Sequence, residues 1–423
     1  MKGPQPTATG SAGPSAALGL LLGVAMGSAN VLGYVMVLLL SRSLGPSDFG
    51  GYTALSTYGV MLAIPAGAFQ VVVARRLSGR DDEGLDRTSG LRLALLTGLG
   101  LFAVTCAISP ALAHTFHLAS AWAAVLLGGM LVPMLLTGCL QGVLLGLHRI
   151  RALALLYVVT ALTRLLAAAV AAGLDWGVTQ VFAAMLTAGI VTMLTGAWLC
   201  RAQIRQLPFT GTGLVAEMVR SNSTLAAYVV LTNIDVLLAR HFLTTHDSGG
   251  YALASTFGRA ICWGTQFIAL MIVPRMHSKD AARTLLKASG LVVAIGVVGL
   301  LVVATSPSLW ITVAGGVEFK SFGHLALACV GLGIAWALAQ VWLFSEMGLG
   351  RGLLGAVTWA VIVLEVLAIT LVWHDSAGQI VAVCACGAVV IAVVGLARVI
   401  LRHQGRIDLG EDSALVVADG PRT

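Results

Sequence analysis

Four ionisable residues interrupt long apolar runs of the sequence: Arg164, Asp235, Arg259 and Glu365. Placing such a group at the centre of a membrane helix costs roughly 2.5–3.5 kcal/mol, so each one needs a polar cavity or an opposite charge. Arginine offers two parallel N–H donors that match phosphate oxygens, whereas a carboxylate in an apolar site can hold a proton or a sodium ion. These four residues are the first candidates for binding chemistry.

The depth of these residues predicts that they lie together. Counted from the predicted outer ends of their helices, all four are about seven to nine residues deep, roughly 10–14 Å at 1.5 Å per residue. We therefore expect one layer of two positive and two negative groups. Asp235 and Arg259 are on consecutive predicted helices, so they can also simply neutralise each other.

The elements that position these charges are membrane helices. The chain is 58% hydrophobic and 10% charged, with a mean hydropathy of +0.94, which excludes a soluble globular protein. Apolar runs of about 20 residues, each long enough to cross some 30 Å of hydrocarbon, recur along it. The twelve predicted spans are residues 16–40, 51–73, 92–113, 121–146, 152–173, 178–200, 221–242, 251–274, 286–305, 321–344, 352–372 and 378–400.

The basic residues are sorted by side of the membrane. With the N-terminus in the cytoplasm, 20 of the 25 Lys and Arg residues fall in cytoplasmic segments, and the predicted outer loops hold only Arg42, Arg240 and Lys320. The positive-inside rule therefore predicts a multi-pass protein of the cytoplasmic (inner) membrane with both termini cytoplasmic. The net charge of +7 reflects this sorting and does not indicate a nucleic-acid partner.

A motif near the first predicted hairpin recurs 199 residues later, which indicates an internal duplication. Its shared positions are Gly45, Asp48, Gly50 and Tyr52 in the first copy, and Asp247, Gly249 and Tyr251 in the second. An even number of helices in each half makes the repeats parallel, the usual construction of alternating-access transporters. The predicted segments are a disordered N-terminus (1–15), a six-helix half (16–200), a linker (201–220), a second six-helix half (221–400) and a cytoplasmic tail (401–423).

The motif itself predicts a structural corner, with a substrate gate as the other interpretation. Gly45 and Pro46 break the first helix, and Asp48 can cap the next one. Tyr52 is expected at the depth of the membrane interface. Glycines at four-residue spacing predict close helix packing in two spans, or surfaces that slide during transport. These glycines are Gly19, Gly23 and Gly27 in the first span and Gly138, Gly142 and Gly146 in the fourth.

Five segments resemble the polysaccharide transporter family of the multidrug/oligosaccharidyl-lipid/polysaccharide exporter superfamily. They are Leu44–Tyr52, Gly138–Arg164, Asn233–Tyr251, Val273–Arg275 and Gly315–Phe319. The resemblance implies two six-helix repeats around a central cavity. It also implies that the protein flips an isoprenoid-diphosphate-linked oligosaccharide, with glycosyltransferases and a polysaccharide polymerase as partners. Residues Phe242–His246 depart from the family pattern, which often has a second Leu-Gly pair there.

The resemblance also suggests roles for the polar residues. Arg164 matches the arginine of the family's fifth helix and is expected, with Arg259, to contact the diphosphate. The amides of Asn233 and Gln266 suit sugar hydroxyls, or hydrogen bonds between helices. Asp235 and Glu365 are expected to hold a coupling ion or to act as charge partners.

Three other functions stay open at this point. A drug or metabolite exporter of the same superfamily, driven by proton or sodium antiport, would use acidic residues for cationic substrates. An enzyme is not expected, because no predicted outer loop is large enough for a catalytic domain and no phosphate-binding loop or triad is present. A scaffold without transport activity is the third of these functions.

No metal or cofactor is expected, since Cys384 and Cys386 point to different helix faces.

Overall fold

A computed structural model describes residues 14–78, 90–204, 214–272, 281–348 and 353–403, and its regular elements in those ranges are all helical. This confirms the predicted all-α membrane fold. Disorder was predicted for residues 1–15, but Pro14 and Ser15 already belong to a helix. Residues 1–13, the tail beyond residue 403 and the Val273–Arg275 segment lie outside the described residues. Helix α8 begins at Leu214, inside the predicted linker.

The helices follow one another in this order: α1 (Pro14–Leu62), α2 (Ile64–Ser78), α3 (Leu91–Thr115), α4 (Trp122–Gly146), α5 (Ile150–Gly173), α6 (Val178–Leu199), α7 (Arg201–Ile204), α8 (Leu214–Leu231), α9 (Ile234–Phe242), α10 (Thr245–Gly264), α11 (Gln266–Ile272), α12 (Ala281–Thr305), α13 (Pro307–Gly315), α14 (Gly323–Gly348), α15 (Leu353–Leu371) and α16 (Ala377–His403). A 3-10 helix, Val317–Phe322, precedes α14.

Ten helical stretches in the described part of the chain are long and apolar enough to cross a membrane. The first, Leu18–Ser78, has 61 residues, and its length of about 90 Å exceeds one bilayer threefold. It turns at Gly45, which adopts φ +67° and ψ 172°, and so accounts for two crossings. The pair α10 and α11 is a further candidate, and the total of twelve spans stays a prediction.

The two halves meet through their first helices. Helix α1 packs against α9 and α10, and α2 packs against α8. A large cluster of buried apolar side chains, including Phe49, Phe319 and Trp336, draws on both halves. A smaller cluster around Phe69 and Leu135 lies mainly within the first half.

The two series of glycines at four-residue spacing differ in how closely they pack against neighbouring helices. In α4, a Cβ atom at Gly142 would come within 2.8 Å of the carbonyl oxygen of Gln70, so α4 lies directly against the backbone of α2. Close packing is therefore confirmed for the fourth span. In the first span it is wrong, because a Cβ at Gly19, Gly23 or Gly27 would meet no described atom within 4 Å.

Candidate functional site

A cavity of about 320 Å³ lies between the two halves. Helices α1, α4, α5 and α6 form its wall in the first half, and the start of α9 together with α10 forms its wall in the second. Its polar side chains are Asn30, Tyr34, Tyr52, Thr53, Ser56, Thr57, Arg164, Asn233, Thr256 and Arg259. A polar space between the halves is what the sequence predicted.

Arg164 is the unpaired charge of this cavity. It lies in the middle of α5, is half-buried, and forms no hydrogen bond or ion pair with any described residue. It also lines a chamber of about 170 Å³ inside the first half, whose walls include Gln70, Gln141 and Thr160. A guanidinium in this setting keeps its N–H donors available for an anionic ligand.

Arg259 is held by a buried carboxylate, as the alternative interpretation predicted. Its Nη2 donates to Oδ1 of Asp235 at 3.2 Å, and its Nε donates to the carbonyl of Thr232 at 3.3 Å. The hydroxyl of Tyr251 donates to the other oxygen of Asp235 at 2.9 Å. Asp235 is fully buried and Arg259 is 7% exposed on the cavity wall, so most of this charge is neutralised within the protein.

A break in the seventh span positions this pair. Helix α8 ends at Leu231 and α9 begins at Ile234, so Asp235 lies in the first turn of α9. Free N–H groups there favour a negative charge. Asn233, at the break, lines the cavity, but its amide nitrogen donates to the carbonyl of Val229 at 2.7 Å and is committed to the helix break.

Two predicted site residues lie away from the cavity. Gln266 begins α11, is half-buried, and is not on the cavity wall. Glu365 is 3% exposed and lines a separate groove of about 550 Å³ between α15 and α16. Neither of its carboxylate oxygens has a hydrogen-bond partner in the described part of the chain. Asp235 still acts on Glu365 electrostatically, so the two carboxylates lie near each other in the second half.

The four charges were predicted to form one layer of two positive and two negative groups. In the structure they face different spaces. Arg164 and Arg259 face the cavity, whereas Asp235 lies behind Arg259 and Glu365 faces the other groove. The described residues that line the cavity include no Asp or Glu. The cavity is thus positive, which local sequence patterns did not reveal.

Arg240 was assigned to an outer loop, and this prediction is wrong. It is 3% exposed and joins the two halves on the predicted outer side. Its guanidinium donates to first-half carbonyls of Phe116 at 2.7 Å, Ser47 at 3.1 Å and His117 at 3.2 Å. In the second half it donates to the Ser248 hydroxyl at 2.9 Å. The sequence signal was present, since an arginine precedes both copies of the motif.

The two motif copies also pack directly against each other. A Cβ at Gly50 would come within 2.9 Å of the backbone nitrogen of Gly249, and one at Gly249 would overlap the carbonyl of Pro46. The motif is therefore both a corner, turning at Gly45, and a contact between the two halves on the predicted outer side. Asp48 makes no capping hydrogen bond among the described residues. In the second copy, Thr244 caps α10 by accepting from the Asp247 N–H at 3.1 Å.

Aromatic side chains complete the cavity wall. Tyr52 is buried, lines the cavity, and interacts electrostatically with Arg164. Its ring lies 5.5 Å from that of Phe182. Tyr34 of the first half and Trp263 of the second face each other at 5.8 Å. Flat rings of this kind suit the apolar faces of sugars or drugs equally.

Two packed helical groups around a polar cavity are also the fold of solved transporters of the multidrug/oligosaccharidyl-lipid/polysaccharide exporter (MOP) superfamily. An inward-facing multidrug resistance MATE family transporter of this superfamily is 14% identical, with 88% of this chain and 94% of that chain covered and a TM-score of 0.71. The lipid II flippase MurJ, in an inward closed conformation, is 9% identical over 94% and 95% of the chains, with a TM-score of 0.67. A MOP transporter from Pyrococcus furiosus, whose binding pocket has reversed polarity, is 17% identical over 93% and 96%, with a TM-score of 0.59. At these identities the likenesses establish the fold alone.

Residues 18–279 match the polysaccharide biosynthesis protein family, and the chain belongs to that family. The match covers the whole first half and continues through α10 and α11, so it includes Arg164, Asp235 and Arg259. No curated protein matches the sequence.

Proposed function

We propose that this transporter flips an isoprenoid-diphosphate-linked oligosaccharide across the cytoplasmic membrane for the synthesis of a surface polysaccharide. Family membership supports the substrate class. The positive cavity supports it independently, because the diphosphate is the one strongly charged part of such a molecule.

Unpaired Arg164 is the observation that carries the proposal. A diphosphate has several oxygens that can accept the two parallel N–H bonds of a guanidinium. Arg259 offers a second positive group across the cavity, although Asp235 holds part of its charge. Polar and aromatic residues around both would contact the sugars, while the isoprenoid chain stays in the bilayer.

Transport follows from rocking the two halves about the cavity. The outer side is closed through Arg240 and the paired glycines, so release to the outer leaflet requires these contacts to separate. Asp235 and Glu365 are the candidates for a coupling proton or sodium ion. We expect the protein in the inner membrane with both termini cytoplasmic, working with glycosyltransferases and a polymerase.

Depleting the protein in its own cells tests the proposal. The lipid-linked oligosaccharide should accumulate on the inner leaflet, and normal pools on both leaflets would contradict a flippase. Arg164→Ala should fail to restore flipping although the variant reaches the membrane at normal levels. Arg151→Ala is the matched control, because Arg151 lies on the same helix but is exposed at its inner end. It should restore flipping fully.

Export of a drug or metabolite by proton or sodium antiport is the second candidate. The buried carboxylates Asp235 and Glu365 favour it, since antiporters need groups that take up an ion. Cationic drugs, however, require a carboxylate on the cavity wall, and both carboxylates lie elsewhere. Neighbouring genes for glycosyltransferases and a polymerase would favour the glycan; a lone regulatory gene would favour export.

A further inference from the structure

Helices α15 and α16 pack side by side and leave a groove of about 550 Å³ between them. Leu364, Trp373 and Val390 line this groove while 64%, 49% and 48% of their surfaces are exposed, so it opens sideways to the bilayer. None of its lining residues also lines the central cavity. The groove is therefore a separate space.

Glu365 is the acidic group inside this groove. The absence of a side chain at Gly387 makes room for it, because a Cβ there would overlap Oε1 of Glu365. The carboxylate is 3% exposed and neither oxygen is hydrogen-bonded within the described chain. A buried carboxylate without a partner is unfavourable, so a ligand that brings positive charge or a donor gains free energy here.

The residues that line the groove determine which class of ligand can bind beside Glu365. Apart from Glu365 and Gln379, they consist of apolar or small residues together with Trp373. Only a ligand with an apolar body of its own gains binding free energy from these walls, and an ionised Glu365 repels an anion. The indole ring of Trp373 also attracts cations.

We propose that this groove binds lipophilic cations: membrane-soluble molecules that carry one ammonium or phosphonium charge on an apolar body. Such a cation enters laterally from the bilayer, pairs with Glu365, and buries its apolar body against α15 and α16. The proposal does not rest on the glycan function, because the groove and the cavity share no lining residue.

Cys386 supplies a built-in reporter of occupancy. It lines the groove and is exposed, whereas the other six cysteines are buried or partly buried. The probe is tetraphenylphosphonium, added to purified protein in lipid nanodiscs before alkylation with N-ethylmaleimide. We expect tetraphenylphosphonium to slow alkylation of Cys386, as read by mass spectrometry of the modified peptide.

Two controls separate charge from shape. Tetraphenylborate has the same shape and the opposite charge, and it should not protect Cys386. Glu365→Gln should raise the tetraphenylphosphonium concentration needed for protection by at least about tenfold, because the cation loses the Coulomb attraction of the carboxylate. Glu318→Gln, which changes an exposed carboxylate on the predicted outer side, should leave protection unchanged.

Three results would overturn the proposal: no protection in the native protein, equal protection in Glu365→Gln, or equal protection by tetraphenylborate. Should Glu365→Gln fail to fold, Val390→Trp, which fills the groove, replaces it. Equilibrium dialysis of tritiated tetraphenylphosphonium should then show lost binding, and unchanged binding would contradict the proposed site.

Discussion

The central arginines of the two halves of this protein have opposite surroundings. In the first half, Arg164 lines the cavity without a partner in the described chain. In the second half, Arg259 reaches the same cavity but is bonded to Asp235, which Tyr251 also supports. Even the repeated tyrosine differs: Tyr52 faces the cavity beside Arg164, whereas Tyr251 is fully buried behind the ion pair.

This difference assigns distinct tasks to the halves. A buried ion pair holds a fold in one arrangement, and losing one partner is costly because the other charge stays buried. An unpaired guanidinium forms no hydrogen bond or ion pair that would stabilise the fold. Its N–H groups are therefore available to a ligand. The comparison therefore predicts that stability depends on the second half's arginine and that substrate binding depends on the first half's.

The largest expected difference is in stability. Arg259→Ala should lower the free energy of unfolding by about 3–5 kcal/mol, because Asp235 loses its partner. Arg164→Ala should leave that free energy almost unchanged. Denaturant titration of both variants in detergent, followed by circular dichroism, measures the contrast. Equal losses in the two variants would break the comparison.

The contact between the motif copies should show the next effect. A methyl group at position 249 meets the backbone of Pro46, which cannot move aside easily, so Gly249→Ala should cost about 1–3 kcal/mol. Gly378→Ala is the control, since its Cβ would meet no described atom within 4 Å. The same unfolding measurement applies. A stable Gly249→Ala protein would show that the copies are not in contact.

The arginine that joins the halves should affect opening. Ser41 is buried on the predicted outer side, where its hydroxyl donates to the carbonyl of Ala314 at 3.1 Å, so Ser41→Cys reports separation of the halves. Adding Arg240→Lys removes the guanidinium contacts but keeps the charge. Labelling of the cysteine by a membrane-impermeant maleimide should then rise about tenfold, the effect of some 1.4 kcal/mol. Unchanged labelling would mean that Arg240 does not hold the outer side closed.

The repeated tyrosines give the smallest contrast. Tyr251→Phe removes one hydrogen bond to Asp235 and should cost about 1 kcal/mol or slightly more. Tyr52→Phe removes no contact to a buried charge pair and should cost less. Thermal unfolding of the two variants side by side tests this, and a larger loss for Tyr52→Phe would reverse the assignment of roles.

Sequence patterns predicted the all-α membrane fold, the polar cavity and the placement of Arg164 and Arg259 on a cavity wall. They could do so because the length of an apolar run and the cost of a charge inside it are local properties. They misplaced Arg240, whose burial depends on how the two halves pack. They also could not show which way Glu365 faces, since α15 is apolar on nearly all sides.

Binding of farnesyl diphosphate and of farnesol to the purified transporter tests the central claim most directly. The two ligands share an isoprenoid chain, and only the first carries the charge that a positive cavity should select. We expect the native protein to bind the diphosphate at least about tenfold more tightly than the alcohol, and Arg164→Ala to lose that preference while remaining folded. Equal binding of the two ligands, or an unchanged preference in Arg164→Ala, would contradict the account.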